Sequence, residues 1–254
     1  MTGATSGVLA AVVYTGFALD LVPDAAGAGP WAGASRRGEG RLTRVLMLAL
    51  DTSGPAVSVA VHDGAAVVGQ AQGSGTMAHG ELLAPAVRDA LAQAGASASD
   101  LTDVVAGVGP GPFTGLRVGV VTAATLASTL GIASHGVCSL DGLAIASGRL
   151  DEHLVAIDAR RKEVYWARYD GGRRVAGPHV DKPAELARLH PSLVAVGRGA
   201  ALYPDLLTAA DGPLDATAAA LAEGVVGGRV EVLPLQPLYL RRPDAQPAAP
   251  LQAP

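Results

Sequence analysis

One cysteine, Cys138, stands among 254 residues. That excludes an internal disulfide framework and any cysteine-cluster zinc site, and it fits a reducing cytoplasm. Lysine is nearly as scarce, with only Lys162 and Lys182, and we read the arginine excess as coding bias. Charged residues make up 17% of the chain, below the roughly 25% usual in soluble domains. Aromatic residues make up only 4%, so burial must rest on aliphatic side chains. A net charge of -4 provides no global electrostatic footprint for nucleic acid. Mean hydropathy is +0.32, yet no stretch reads as apolar enough for long enough to span a bilayer. Much of the apolar excess is alanine, about one residue in five. The length allows one large domain or two small ones, each with a real core.

Met1–Arg44 differs from the rest of the chain, being dominated by Gly, Ala, Ser and Thr. Val8–Leu19 is apolar, but no Lys or Arg precedes Arg36, and a secretory signal needs a basic region before its apolar core. Residues 1–44 are expected to be a poorly ordered extension or an over-long gene start.

From Val45 the sequence becomes regular. Val45–Leu50, Ala56–His62 and Ala65–Gln72 read as three strands joined by the turns Asp51–Pro55 and Asp63-Gly64. Glu81–Ala94 has helical periodicity through Leu82, Leu83, Ala86, Val87, Ala90 and Leu91. Pro85 predicts a late or kinked first turn. Val104–Val108 and Ile132–Val137 read as strands, and Thr114–Leu130 and Leu140–Ser147 as helices. The second half repeats the order. Strands are expected at Leu154–Ile157, Glu163–Tyr169, Arg173–Pro178 and Leu193–Val196, and helices at Pro183–Leu189, Ala200–Leu207 and Ala216–Val226. The predicted fold is α/β with two similar lobes, each a mixed sheet flanked by helices, in the actin-like ATPase (ribonuclease H-like) architecture. The lobes are expected at 45–150 and 151–241, with a loose proline-rich tail at 242–254.

Gly107–Gly119 joins a buried strand to a helix N-terminus. Free N–H groups and the helix dipole there could hold an anion, which makes Asp51, Gly109, Gly111, Thr114 and Gly115 a candidate anion or nucleotide loop. The stretch is neither a Walker A loop nor a dinucleotide fingerprint. The plainer reading is a stiff turn whose glycines permit close packing. Asp51 could likewise serve a magnesium-linked kinase site or simply cap the Thr52-Ser53-Gly54 turn. Cys138 ends a buried strand and reads as an inert core thiol. Arg160-Arg161-Lys162 and Arg173-Arg174 lie at adjacent turns that would form one positive patch, offering RNA contact or merely solvated turns.

Several motifs occur in order: Ala49–Ser53, His79–Pro85, Gly109–Gly119, Ser139–Ala144, Asp158–Tyr165 and Tyr239–Arg241. Together they resemble the TsaB family, bacterial proteins needed for threonylcarbamoyl modification of the tRNA adenosine 3′ to the anticodon. The resemblance covers Val45–Arg241. Pro112 and Ala78 depart from it, each standing where the family favours serine. It implies a non-catalytic subunit that binds and activates the catalytic paralogue TsaD, joined by the ATPase TsaE, with tRNA reached only through the complex. No catalytic residue, metal or cofactor of its own is expected, although a nucleotide at the heteromer interface is conceivable. TsaD holds its metal through two histidines at i and i+4, and the matching positions here fall near Ser139 and Leu143. The six histidines (His62, His79, His135, His153, His179 and His190) contain no His-x-x-x-His pair.

The resemblance also places the partner interface on the first two helices, with Arg117, Val118, Val121, Thr122 and Thr125 flanked by Leu82, Leu83 and Val87. A helix small or apolar nearly all round is expected to be covered on both sides. The plainer reading is that these stripes face their own sheet. The same surface would serve a homodimer when the partner is absent, and no membrane role is expected. The rival function is an active actin-like ATP-dependent kinase or ATPase.

Overall fold

The computed structural model describes residues 45–73 and 79–241. The expectations for 1–44 and 242–254, and the departure at Ala78, lie outside the described residues. Strands β1 (Met47–Asp51), β2 (Val57–His62) and β3 (Val67–Gly73) form an antiparallel meander. Helix α1 (His79–Gln93) follows, then β4 (Asp103–Gly109), α2 (Phe113–Leu130), β5 (Ala133–Cys138) and α3 (Ser139–Ser147). Strands β6 (His153–Asp158), β7 (Val164–Asp170) and β8 (Arg173–Asp181) make a second meander. After it come α4 (Pro183–Leu189), β9 (Ala195–Val196), α5 (Arg198–Leu202), α6 (Ala218–Val226) and β10 (Val232–Leu233).

The first sheet has the order β10-β5-β4-β1-β2-β3 and the second β8-β7-β6-β9. In each, the first strand of the meander pairs in parallel with the strand that returns after a helix, β4 in one and β9 in the other. The two halves therefore share an element order, as the sequence pattern predicts. Alternation in β2 predicts one buried face, but the whole strand is buried. Val57, Val59 and Val61 meet α1 and α2, while α6 covers the opposite face, where Ser58 Oγ accepts from the Ala218 N–H at 2.9 Å.

This placement of α6 corrects the expected lobe at 151–241. Helix α6 packs on β1, β2 and β4, and β10 pairs with β5, so the chain returns to the first sheet after completing the second. An apolar cluster joins the lobes, with Leu140 and Leu143 of α3 packed against Val155, Ala167 and Tyr169. Helix α1 runs unbroken through Pro85, starting at His79.

A second correction concerns membrane spans. By length and composition α2 could cross a bilayer, with 18 residues of mean hydropathy 1.3. One side of it is spent on the protein's own core, through Leu116, Val120, Ala123 and Leu126.

If α6 belongs to the first sheet, truncating its fully buried Leu221 destabilises that sheet. Leu221→Ala should cost about 2–5 kcal/mol in denaturant unfolding. Amide exchange should accelerate in β1 and β2 more than in β6–β8. The opposite ranking contradicts the assignment.

Candidate functional site

A buried polar cluster lies where β1 ends. Asp51 is 2% exposed, and both its carboxylate oxygens are engaged. Oδ1 accepts from the Ser53 N–H at 2.8 Å and from Ser53 Oγ at 2.6 Å. Oδ2 accepts from Ser139 Oγ at 2.7 Å, and Ser139 Oγ in turn accepts from the Gly109 N–H at 3.2 Å. Burial raises the Asp51 pKa above the usual carboxylate range, opposed by the hydroxyl bonds from Ser139 and Ser53.

The glycine-rich loop closes on this turn. A Cβ at Gly107 would stand 1.8 Å from Asp51 Oδ2, so only glycine leaves room for the carboxylate. A Cβ at Gly115 would stand 2.5 Å from the Thr52 carbonyl oxygen, and Thr52 Oγ1 donates to the Gly115 carbonyl at 2.7 Å. Gly111 and Gly119 meet Ser53 and Thr52 as closely. Asp51, Gly109, Gly111 and Gly115 are thus brought together, but around one another; the exposed Thr114 is the candidate loop residue open to solvent.

Above this floor runs a cleft of about 570 Å³ between the lobes. The first lobe lines it with Pro55, His79 and Thr114, and the second with Ile157, Asp158 and Arg160. Arg198 and Asp215 close one end as a two-bonded ion pair, with Nε to Oδ1 at 3.0 Å. His79 reaches across from α1, its Nε2 2.9 Å from the Gly54 carbonyl oxygen. The sequence alone does not reveal the Arg198–Asp215 pair, since 17 positions separate the two.

Ser139 and Leu143, near which the family resemblance leads one to look for metal histidines, lie on α3. Ser139 is held by Asp51 and Gly109, and Leu143 is fully buried in the apolar cluster between the lobes. Cys138 precedes them, its thiol pushed up to about 12 by burial and then by Asp141. Among the described residues no three His, Cys, Asp or Glu side chains come together as a metal site.

The expected partner face divides. Leu83 (0% exposed) and Val87 (1%) pack into the core on their own sheet and Thr122 (5%) is buried, so the three are removed from that face. Six of α1's fifteen positions repeat at helical spacing, and the sheet takes the stripe containing Leu83 and Val87. Arg117 and Val121 are exposed, and Leu82, Val118 and Thr125 are half-buried, so these five remain.

The expected single basic patch is also corrected. Arg160, Arg161 and Lys162 precede β7 and Arg173-Arg174 follow it. The two groups sit at opposite ends of a strand about 20 Å long at ~3.3 Å per residue. Arg160, Arg161 and Lys162 all have left-handed backbone, with φ of 60°, 55° and 60°. Arg174 is half-buried and bonds Asp141 at 2.9 Å, tying β8 to α3, while Tyr169 Oη donates to the same carboxylate at 2.7 Å.

The raised Asp51 pKa makes a prediction about pH. A carboxyl whose folded pKa lies above its unfolded value stabilises the fold below the unfolded pKa, near 3.8, and loses that contribution as pH rises through the folded pKa. Asp51→Asn lacks this loss. Its stability relative to wild type, measured by urea unfolding, should therefore be more favourable at pH 7 than at pH 3.5. A difference that is flat or falls with pH contradicts the account.

The family described as TsaD, tRNA N6-adenosine threonylcarbamoyltransferase, matches residues 74–208. An uncharacterised Mycobacterium tuberculosis protein is 44% identical over 210 residues, covering 80% of this chain and 95% of the relative. The Escherichia coli tRNA threonylcarbamoyladenosine biosynthesis protein TsaB is 31% identical over 222 residues, covering 77% of this chain and 94% of TsaB. The solved structure of Pseudomonas aeruginosa YeaZ superposes with a TM-score of 0.63 at 30% identity, over 77% of this chain and 100% of YeaZ. The two mixed sheets with flanking helices are accordingly an actin-like fold. With that fold, and with this identity along nearly all of the E. coli protein, the chain belongs to the TsaB family.

Proposed function

We propose that the chain is a non-catalytic activating subunit in tRNA threonylcarbamoyladenosine biosynthesis. The pathway follows from the relatives named TsaB. In this reading the chain binds the TsaD paralogue and the TsaE ATPase joins them. TsaD transfers the threonylcarbamoyl group to the adenosine 3′ to the anticodon, and tRNA is met through the complex. The setting is the cytoplasm.

The observation that carries the non-catalytic half is the closure of the cleft floor upon itself. A catalytic carboxylate must reach substrate or a metal with at least one oxygen. Asp51 is buried beneath the cleft and turns both oxygens to Ser53 and Ser139. The loop N–H of Gly109, which would face a phosphate, is directed to Ser139 instead. Ser139 and Leu143, near which the resemblance implies TsaD's metal histidines, offer a hydroxyl already bonded and an alkyl group.

The docking half is supported by α2. Arg117 is the one charged residue in eighteen, and Val121 is 40% exposed. A helix side left to water is ordinarily rich in charge. The surface assigned to TsaD comprises Leu82, Arg117, Val118, Val121 and Thr125, and it would serve a homodimer when TsaD is absent. The lobes assigned are 45–150 and the second-sheet segment from 151, with the return of α6 and β10 counted to the first.

A nucleotide-dependent enzyme is the second reading, favoured by the cleft volume of about 570 Å³, which suits a small-molecule site. Calorimetry separates the two. The pure chain should give no heat with Mg-ATP, and tight binding with turnover would favour the enzyme. Val121→Glu should leave unfolding within about 0.5 kcal/mol of wild type, as expected at an exposed position, and should abolish co-purification with the TsaD paralogue. Co-purification at the wild-type level contradicts the placement.

A further inference from the structure

At the N-terminal end of α2 two distant segments build an exposed cluster. Phe113 and Tyr239 stack with ring centroids 5.1 Å apart and planes 27° apart. The Arg117 guanidinium carbon lies 4.3 Å from the centre of the Phe113 ring, and Arg117 Nε donates to Tyr239 Oη at 3.3 Å. Even so, Phe113 is 41% and Tyr239 40% exposed. Two rings and a guanidinium that order one another but stay open to water have the composition of a binding hot spot. Their mutual contacts also lower the entropy lost on docking.

Tyr239 is held there by anchors on either side. Before it, the Leu238 N–H donates to the Val108 carbonyl of β4 at 2.8 Å. After it, Arg241 Nη1 donates to the Ala159 carbonyl at 2.8 Å, pairs with Glu163, and lies 5.8 Å from the Tyr165 ring centre. The ring thus rides on a strap fixed to both lobes.

Charge indicates the partner. Helix α2 carries Arg117 and no Asp or Glu, and the two terminal NH2 groups of Arg117 have no partner among the described residues. A symmetrical α2–α2 contact between two copies would offer neither guanidinium a carboxylate from α2, so a homodimer through this surface matches Arg117 less well than a different chain can. A different chain with an apolar side chain for the rings and a carboxylate for the guanidinium satisfies all three groups.

We infer that Phe113, Arg117 and Tyr239 form the anchor of the docking surface, and that it takes a protein face presenting an apolar side chain beside a carboxylate. The inference rests on the proposal that the outer side of α2 binds the TsaD paralogue, and it extends that surface onto the C-terminal strap.

The test is the affinity of the full-length chain for the purified TsaD paralogue, with sedimentation of each variant alone. Tyr239→Ala should weaken binding roughly 30-fold or more, the loss typical of truncating a hot-spot aromatic. Tyr239→Phe, which keeps the stack, should lose less than about tenfold. Arg117→Glu, at an exposed helix position, carries the test if Tyr239→Ala disturbs the strap. It should weaken binding and flatten its dependence on salt. Wild-type affinity in Tyr239→Ala and Arg117→Glu, with binding still abolished by Val121→Glu, overturns the inference and spares the docking proposal. Loss of self-association alone assigns the cluster to a second copy and overturns it too. If the wild-type chain does not bind the paralogue at all, both fall.

Discussion

The architecture depends on the contact between the end of β1 and the loop that leaves β4. A side chain fits at neither contact there, with Gly115 against the Thr52 carbonyl and Gly107, at the end of β4, against the Asp51 carboxylate. The contact fixes where α2 starts, and therefore which of its sides meets the sheet. It also determines what the cleft floor can offer. A loop that donates to Ser139 and a carboxylate held by two serines leave little unsatisfied polarity for a substrate. The same constraint that closes the cleft leaves the outer side of α2 open.

A second consequence is that the two lobes are not independent beads on a string. The chain completes the first five strands, builds the second sheet, and then returns through α6 and β10 to the first. Helix α3 sits between them in a shared apolar cluster, Arg174 ties β8 to Asp141 of α3, and Arg241 reaches the turn before β7. A partner bound at α2 and the strap would touch the first lobe directly and the second through Arg241. A subunit that acts by holding another protein benefits from such rigidity, because order fixed before docking need not be imposed by it.

Most of the fold was legible because β-alternation, turn residues and helical periodicity are local. Strands β1–β9 and five of the six helices coincide with periodic segments to within a few residues, whereas the helix expected at Ala200–Leu207 runs only over Arg198–Leu202. What was not legible is long-range. Nothing in Ala216–Val226 states that its apolar side covers β1 and β2, since a helix carries no address for its sheet. Strand β10 is only two residues long, lies directly before Pro234, and shows no alternation. Thr122 was misplaced because small and apolar residues surround α2, so composition cannot choose its inward stripe, whereas Glu81 and Arg88 on α1 already mark the side opposite Leu83 and Val87. The two basic groups could have been separated, since successive turns of an antiparallel meander lie at opposite ends of the shared strand. At the site, Asp51 and the glycines stood out by motif, whereas Phe113 and Tyr239 lay within family motifs without any sign that they meet.

The central claim is that this chain is required for the chemistry but does not perform it. Reconstitution tests that most directly, with the TsaD paralogue, TsaE, tRNA, Mg-ATP and a threonylcarbamoyl donor, measuring modified adenosine with and without the chain. The account predicts that modification depends on the chain and that the chain without TsaD yields none. Modification by the chain alone, or an undiminished yield in its absence, would contradict it.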